Sequence, residues 1–379
     1  MAPNYRILVL GKPGATLPPD IERSLLRMAA EFGLTRGDEL EIVADTAVPS
    51  TAIATVAVFL GSTPTPAFSG EWLMRLGVPV IPVVTRITNA GAELPASIGH
   101  LNAMATSGAN SADAIAAAML ECLGLLPKQR RVFVSYVRKE ATPIALQLFA
   151  ELGKRQFQVF IDTHDIRPGE DFQAALWHKL CDSDVMIMID SKGYFDSRWT
   201  REEFGRAAVK KASILRLGMP GVVPSASVSV TQSFDLDSSE ITTTRRLRAA
   251  VLDRVCDEVE RLRSESIAVR HANLVGSVTR AIADLKGLTL ASGSLRSVEV
   301  KLPRGRDIRI YTALGVPTAQ VLNDIAEHAQ KKDAAIVYDQ LGIHTQWLRH
   351  KQWLADHVPE VRWIPAHEAG WLLSGWNAE

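Results

Sequence analysis

Apolar residues fall along this chain in two rhythms. Runs at residues 5–10, 52–60 and 78–84, apolar but for Arg6 and Thr55, are too short for a membrane span and too dense for an amphipathic element. Between the first two, Ile21, Leu25, Leu26, Met28, Ala29 and Phe32 recur mostly three or four apart, the spacing of one helix face. Apolar strands alternating with helical patterns predict a parallel sheet covered on both sides. An Ala-rich helix at 112–123 closes this first region, expected to span residues 1–127 as a Rossmann-like α/β domain.

The same alternation restarts at Arg130. Strands are predicted at 132–134, 158–162 and 185–189, and helices at 143–154, 174–181 and 201–211, with a polar loop at 165–171 holding Pro168 and Gly169. That order is a doubly wound α/β domain, assigned to 128–230. Residues 225–246 are rich in Ser and Thr and read as a loop or an exposed hairpin. Leu247, Val251, Val255, Val259 and Leu262, then Leu274, Val278, Ile282 and Leu285, give two helical patterns. They are read as a helical hairpin within 231–290, with coiled-coil self-association as the alternative. Residues 291–379 return to α/β, with strands near 308–311, 334–338 and 361–364 and helices at 318–330 and 344–357, a small lobe expected to dock on a neighbour.

Composition narrows the classes. In 379 residues, Lys plus Arg and Asp plus Glu are both 42, so general polyanion binding lacks its electrostatic footprint. No run approaches the roughly 20 apolar residues of a spanning helix, and residues 1–11 read as a first strand and not as a leader, so a cytoplasmic protein is expected. Cys122, Cys181 and Cys256 are far apart and form no disulfide or zinc pattern. The nine His show no helical pair backed by carboxylates, and no metal is expected. The Gly11-Lys12-Pro13-Gly14 turn after the first strand suggests a phosphate-binding loop but lacks the complete Gly-x-Gly-x-x-Gly or Walker spacing. Trp347, Trp353, Trp363, Trp371 and Trp376 crowd the end of the chain and read as core or protein interface.

Four pieces of the central region stand in a recognisable order: Phe133-Val134-Ser135-Tyr136; Phe160-Ile161-Asp162 followed by Ile166-Arg167-Pro168-Gly169-Glu170-Asp171-Phe172; the run 184–190; and Ser197-Arg198-Trp199-Thr200-Arg201-Glu202-Glu203-Phe204. Together they resemble the TIR (Toll/interleukin-1 receptor) domain family. The resemblance covers residues 128–230, a little over a quarter of the chain. It implies a central flavodoxin-like domain with a parallel sheet. By the same comparison the N-terminal Rossmann-like domain echoes a degenerate TIR-like fold, with Glu71-Trp72 in the wrong order for the family's Trp-x-x-x-Glu box. A nucleoside deoxyribosyltransferase-like enzyme would share the fold and use a Glu, but the Ser-Tyr box and the Arg-Pro-Gly loop favour TIR.

The family divides into scaffolds that act through TIR–TIR contacts and enzymes that cleave the nicotinamide–ribose bond of NAD+. Carried over by position, Glu203 is the catalytic carboxylate of the enzymes. Trp199, one helical turn earlier, Tyr136, Arg138, Phe172 and Asp162 are candidates for substrate contact. Arg138 would match diphosphate oxygens in a bidentate manner. Val137 directly after Tyr136 departs from relatives that carry a basic residue there. Phe172 stands one residue later than in some relatives. Arg167, Pro168 and Gly169 belong to the BB loop used in assembly. The resemblance further implies NAD+ as substrate with no cofactor, self-association through TIR domains into oligomers that include filaments, an unidentified trigger, and a role in bacterial antiphage defence. Glu202, beside Glu203 but on another helix face, is the internal control.

Overall fold

The apolar runs become central strands of parallel sheets in the computed structural model, which describes residues 3–44, 53–68, 71–108, 111–161, 172–196, 198–210, 212–228, 231–293, 295–329 and 333–378. The chain divides into two compact units, one formed by Met1–Lys128 with Ser292–Ser297 and the other by Gln129–Ala291 with Val298–Glu379.

The first unit contains β1 (Tyr5–Leu10), α1 (Pro19–Glu31), β2 (Leu40–Val43), β3 (Ala54–Leu60), α2 (Glu71–Arg75), β4 (Val80–Val84), α3 (Ala90–Glu93), β5 (Met104–Ala105) and α4 (Ser111–Cys122). The sheet order is β2-β1-β3-β4-β5, parallel throughout. Helix α1 opens with Pro at its first position and Asp20 and Glu22 in its first turn, both favourable at the positive end of a helix. It buries Ile21, Leu25, Met28 and Ala29 of the stripe that the spacing predicted, while Leu26 and Phe32 are half-buried.

The second unit opens with β6 (Arg130–Ser135), α5 (Arg138–Lys154), β7 (Phe157–Ile161), α6 (Phe172–Asp182), β8 (Val185–Asp190), α7 (Arg198–Val209), β9 (Ser213–Gly218) and β10 (Gln232–Asp235). This second parallel sheet has the order β10-β9-β8-β6-β7, the same pattern as the first when strands are counted from β6. All six residues of β8 are buried, as a strand covered on both faces requires. Alternation splits the core. Val132, Val134, Ile187 and Leu215 face α5, while Phe133, Met186, Met188 and Ile214 pack with Leu176, Leu180 and Phe204 of α6 and α7.

Three elements differ from the sequence reading. Helix α5 begins at Arg138, five residues before the expected start, and carries Pro143 inside it. Residues 232–235 form an edge strand paired with β9, although Phe234, half-buried against the core, is its one apolar residue. The expected helical hairpin is one continuous helix, α8 (Ala249–Asp284), of 36 residues. Its first half buries Val251, Val255, Val259 and Leu262 against the TIR-like sheet, and its second half buries Leu274, Val278 and Ile282 against a third sheet. The polar stretch between these patterns looked like a turn. It contains no Gly or Pro, and its side chains are consumed by partners: Arg263 Nε reaches Asp184 Oδ2 at 2.9 Å, Ser266 Oγ donates to the Asp184 carbonyl at 2.6 Å, and Arg270 Nη1 donates to the Ser183 carbonyl at 3.0 Å.

The third sheet is β11 (Leu288–Gly293), β12 (Ser297–Lys301), β13 (Asp307–Ala313), β14 (Asp333–Tyr338) and β15 (Val361–Pro365), in that order, with β13, β14 and β15 parallel. Helices α9 (Ala319–Ala329), α10 (Thr345–His357) and α11 (Ala369–Ala378) accompany it. Within this unit its loops meet α6. Val316 N donates to Asp182 Oδ1 at 2.8 Å, and His344 N donates to His178 Nδ1 at 3.1 Å. Burial pushes the His178 imidazole down to about 4, consistent with a neutral ring accepting that bond. Gly342, at φ 78°, lies so close that a Cβ there would stand 2.5 Å from Trp177 Nε1.

Candidate functional site

Strand alternation sends Ser135, the last residue of β6, to the face shared with Phe133 and α7. Helix α7 starts at Arg198, so Trp199 and Glu203 both lie on it, four residues apart. Glu203 is 5% exposed, and Ser135 Oγ donates to its Oε2 at 2.5 Å. The hydroxyl of Tyr194 lies 2.6 Å from Ser135 Oγ. A carboxylate only accepts, so the single Ser135 proton is committed to Glu203 and Tyr194 is the donor to Ser135. The result is a buried chain, Tyr194 to Ser135 to Glu203. Burial, and after it the Glu203 charge, raises the Tyr194 phenol well above its ordinary value, so it stays a neutral donor.

The turn between β8 and α7 is fixed from two sides. The Thr200 hydroxyl donates to the Tyr194 carbonyl, and Gly193 N donates to Glu140 Oε2 at 3.1 Å. The neighbouring Ser191 hydroxyl and the Gly193 amide hold the Glu140 carboxyl below the usual range. On the same sheet face, Arg216 is fully buried and pairs with Asp190 at 2.6 Å and with Asp235. Its Nη2 has no hydrogen-bond partner among the described residues. Glu202 turns away: its side chain is 32% exposed and pairs with Arg198 at 2.9 Å and Arg206 at 3.8 Å.

The structure separates the remaining candidates. Tyr136, expected to offer a flat wall to a substrate ring, packs into the α5 side of the core with Val134 and Ala141, because adjacent residues of an extended chain take opposite faces. Arg138 is exposed in the first turn of α5. Asp162, Arg167, Pro168 and Gly169 lie outside the described residues, as do the side chains of Phe172, at the start of α6, and Trp199. Sequence reasoning missed Tyr194 and the Arg216 pair. A lone Arg within the apolar run Ser213–Gly218 was the available signal for the latter, since a buried charge requires a partner. Among the described residues no group of three His, Cys, Asp or Glu is placed to hold a metal. No helix among them is long and apolar enough to cross a membrane.

Residues 132–248 match the family described as TIR domain. No curated protein matches the chain. Among solved structures, a CMP N-glycosidase from Clostridium botulinum shares 15% identity over 33% of this chain and 97% of its own, with a TM-score of 0.25. A putative two-component system response regulator/GGDEF domain protein shares 16% identity over 68% of this chain and 98% of its own, with a TM-score of 0.28. At those scores neither likeness bears on fold or activity.

Proposed function

We propose that the TIR domain, the family to which residues 132–248 belong, cleaves the nicotinamide–ribose bond of NAD+ with Glu203 as its essential carboxylate. The observation that supports this reading is a carboxylate 5% exposed, placed on α7 and held by the Ser135 hydroxyl at 2.5 Å. Nicotinamide leaves a cationic pyridinium with the bonding electron pair and departs as a neutral base, so no general acid is required. Positive charge grows on the ribose as the bond lengthens. A carboxylate already stripped of water and fixed by a hydrogen bond stabilises that charge without first reorganising. Water then adds to the anomeric carbon and releases a proton, giving ADP-ribose. Attack by a ring nitrogen of the adenine instead gives a cyclic product.

NAD+ is the substrate in this scheme, and no further cofactor enters. The TIR family is consistent with assembly through domain–domain contacts, and we assign the BB loop, with Arg167, Pro168 and Gly169, to that role. We assign the whole protein to antiphage defence, switched on by a trigger. The test is release of free nicotinamide from NAD+ by the purified full chain, across a range of protein concentrations that promotes self-association. Glu203→Gln is expected to lower the rate by at least about 100-fold. Glu202→Gln, which alters two partly exposed pairs along one helix, is expected to stay within about twofold. Equal losses in both variants refute the assignment of Glu203. Cleavage absent from the wild type in every assembled form favours a scaffold working through TIR–TIR contacts.

A further inference from the structure

The sheet of the first unit reverses its winding between β1 and β3: from β1 the chain goes outward to β2, and from β3 the opposite way to β4 and β5. Loops leaving the carboxyl ends of two such strands diverge, and the crevice between them is where open α/β sheets hold ligands. A cleft of about 120 Å³ opens at that place. Val9 and Leu10 of β1 and Phe59 of β3 line its inner side, and the 11–15 turn and Phe68 line its mouth.

The turn is shaped by its glycines. Gly11 has φ 142°, and a Cβ on it would stand 2.8 Å from the Leu60 carbonyl oxygen, so only glycine lets the chain leave β1 against the end of β3. Gly14 has φ 74°. Ala15 N donates to the Lys12 carbonyl at 2.9 Å and closes the turn. Among the described residues, the amides of Gly11, Lys12 and Gly14 donate to no other residue and the exposed Lys12 ammonium has no ion pair. Unpartnered amides from consecutive turn residues, beside a lysine and over an apolar floor, form a concavity suited to a compact anion. Among the described residues no carboxylate lines the cleft to oppose one.

We infer that this cleft binds a phosphate group, free or carried by a small molecule. The amides supply directed donors, Lys12 supplies the charge, and the volume is that of one such group and a few atoms of whatever bears it. The three observations are independent of one another: the position at the winding reversal, the unpaired donors, and a glycine that packing makes obligatory. The site lies in a different unit from Glu203 and does not depend on the proposed cleavage of NAD+.

The test is calorimetric titration of the full chain with inorganic phosphate, adenosine 5′-monophosphate and adenosine in low salt. Saturable binding is expected for at least one phosphate-bearing probe, weakening as salt rises. Lys12→Gln is expected to reduce that affinity about tenfold. Lys154→Gln, which changes a lysine 72% exposed on α5, is the charge control and is expected to leave it unchanged. Tighter binding of phosphate than of the monophosphate identifies the free ion as ligand, and the reverse order identifies a phosphate monoester. Lys12 is exposed, so its replacement leaves the fold intact, and a matching thermal unfolding midpoint confirms it. No saturable binding of either probe up to about 10 mM, equal losses in Lys12→Gln and Lys154→Gln, or adenosine binding as well as its monophosphate each overturns the inference.

Discussion

Replacing Ser135 with Ala removes one oxygen from the chain that runs from Tyr194 to Glu203, and the consequences separate into two measurable parts. The 2.5 Å bond to Glu203 Oε2 is a hydroxyl–carboxylate contact between groups that are 1% and 5% exposed. Hydrogen bonds to charged groups contribute roughly 1.5–3 kcal/mol. That energy favours the ionised over the protonated carboxyl, and one pH unit corresponds to about 1.4 kcal/mol. Ser135→Ala is therefore expected to move the acid limb of kcat/KM for nicotinamide release upward by about one to two pH units. The sign follows from removing a donor to the charged form: the carboxyl holds its proton to higher pH, and activity that requires the anion disappears earlier on acidification. The variant also strands the Tyr194 hydroxyl, fully buried, at a further cost to folding of about 1–3 kcal/mol. Tyr194→Phe leaves Ser135 bonded to Glu203 and is expected to shift the limb by a smaller amount in the same direction, while Ser135→Thr keeps the donor and restores the wild-type limb. Rates are followed from pH 4.5 to 8 beside thermal unfolding at each pH. A uniform loss of rate at every pH with an unmoved limb refutes the reasoning, because it shows the hydroxyl filling space without acting on the carboxylate.

Two further predictions concern the seams within the second unit. Burial pushes the Asp182 carboxyl up to about 6, against the opposing pull of Arg131 at 2.6 Å and Val316 N at 2.8 Å. A folded-state value above the unfolded one means that the folded chain holds the extra proton, so stability falls as pH rises from about 4 to about 6, by an upper bound of roughly 3 kcal/mol. Urea unfolding of Asp182→Asn is expected to show a flatter pH profile than wild type over that window, and an unchanged profile rejects the assignment. Gly342→Ala places a methyl against Cys181 Sγ and Trp177 Nε1 at a backbone φ of 78°, with an expected loss of about 2 kcal/mol or more in thermal unfolding. A variant as stable as wild type shows that the loop after β14 is not seated on α6.

The parts of the fold that could be read from the sequence were those in which one residue type does one job. β8 needs apolar side chains on both faces and shows nothing else over residues 185–189, so that run declared itself, while Asp190 at its end pairs with Arg216. Residues 232–235 were misjudged for the opposite reason. An edge strand at the open side of a sheet tolerates polar residues on both faces, and one of them, Asp235, serves Arg216 rather than the core. The α8 error arose from mid-helix residues whose partners lie some 80 positions away in sequence, Arg263 and Ser266 on Asp184. No local period reports such partners. At the site, the order of the four boxes pointed to Glu203, yet the residue that holds it came from simple strand alternation at Ser135, and Tyr194 entered only through the tertiary position of the turn before α7. Tyr136, expected to contact substrate, lies on the α5 side of the core, because the pleat sends it to the face opposite Ser135.

The two parallel sheets of this chain share a strand order, and the difference in what they offer chemically lies in what ends each strand. In the TIR domain the first strand ends in Ser135, and a 12-residue helix after the third strand lays Glu203 on it. In the first unit the corresponding strand ends in Leu10 and the glycine turn, and the helix after β3 has only five residues. That unit does bury a carboxylate, Glu93, at 4% exposure. Its acceptor capacity is taken by the Thr85 hydroxyl, by Thr85 N at 2.7 Å and by Asn89 Nδ2 at 3.2 Å, and these bonds, led by the Thr85 hydroxyl, hold it below the usual carboxylate range. A carboxylate clasped by three donors from one short loop stabilises that loop. The Glu203 contact instead ties the end of β6 to α7, from residues 68 positions apart, and so fixes a helix against a strand end where the sheet opens. The same scaffold thus presents unpaired donors and a lysine in one unit and an oriented carboxylate in the other, so the chemistry on offer is set by the residues at the strand ends rather than by the fold.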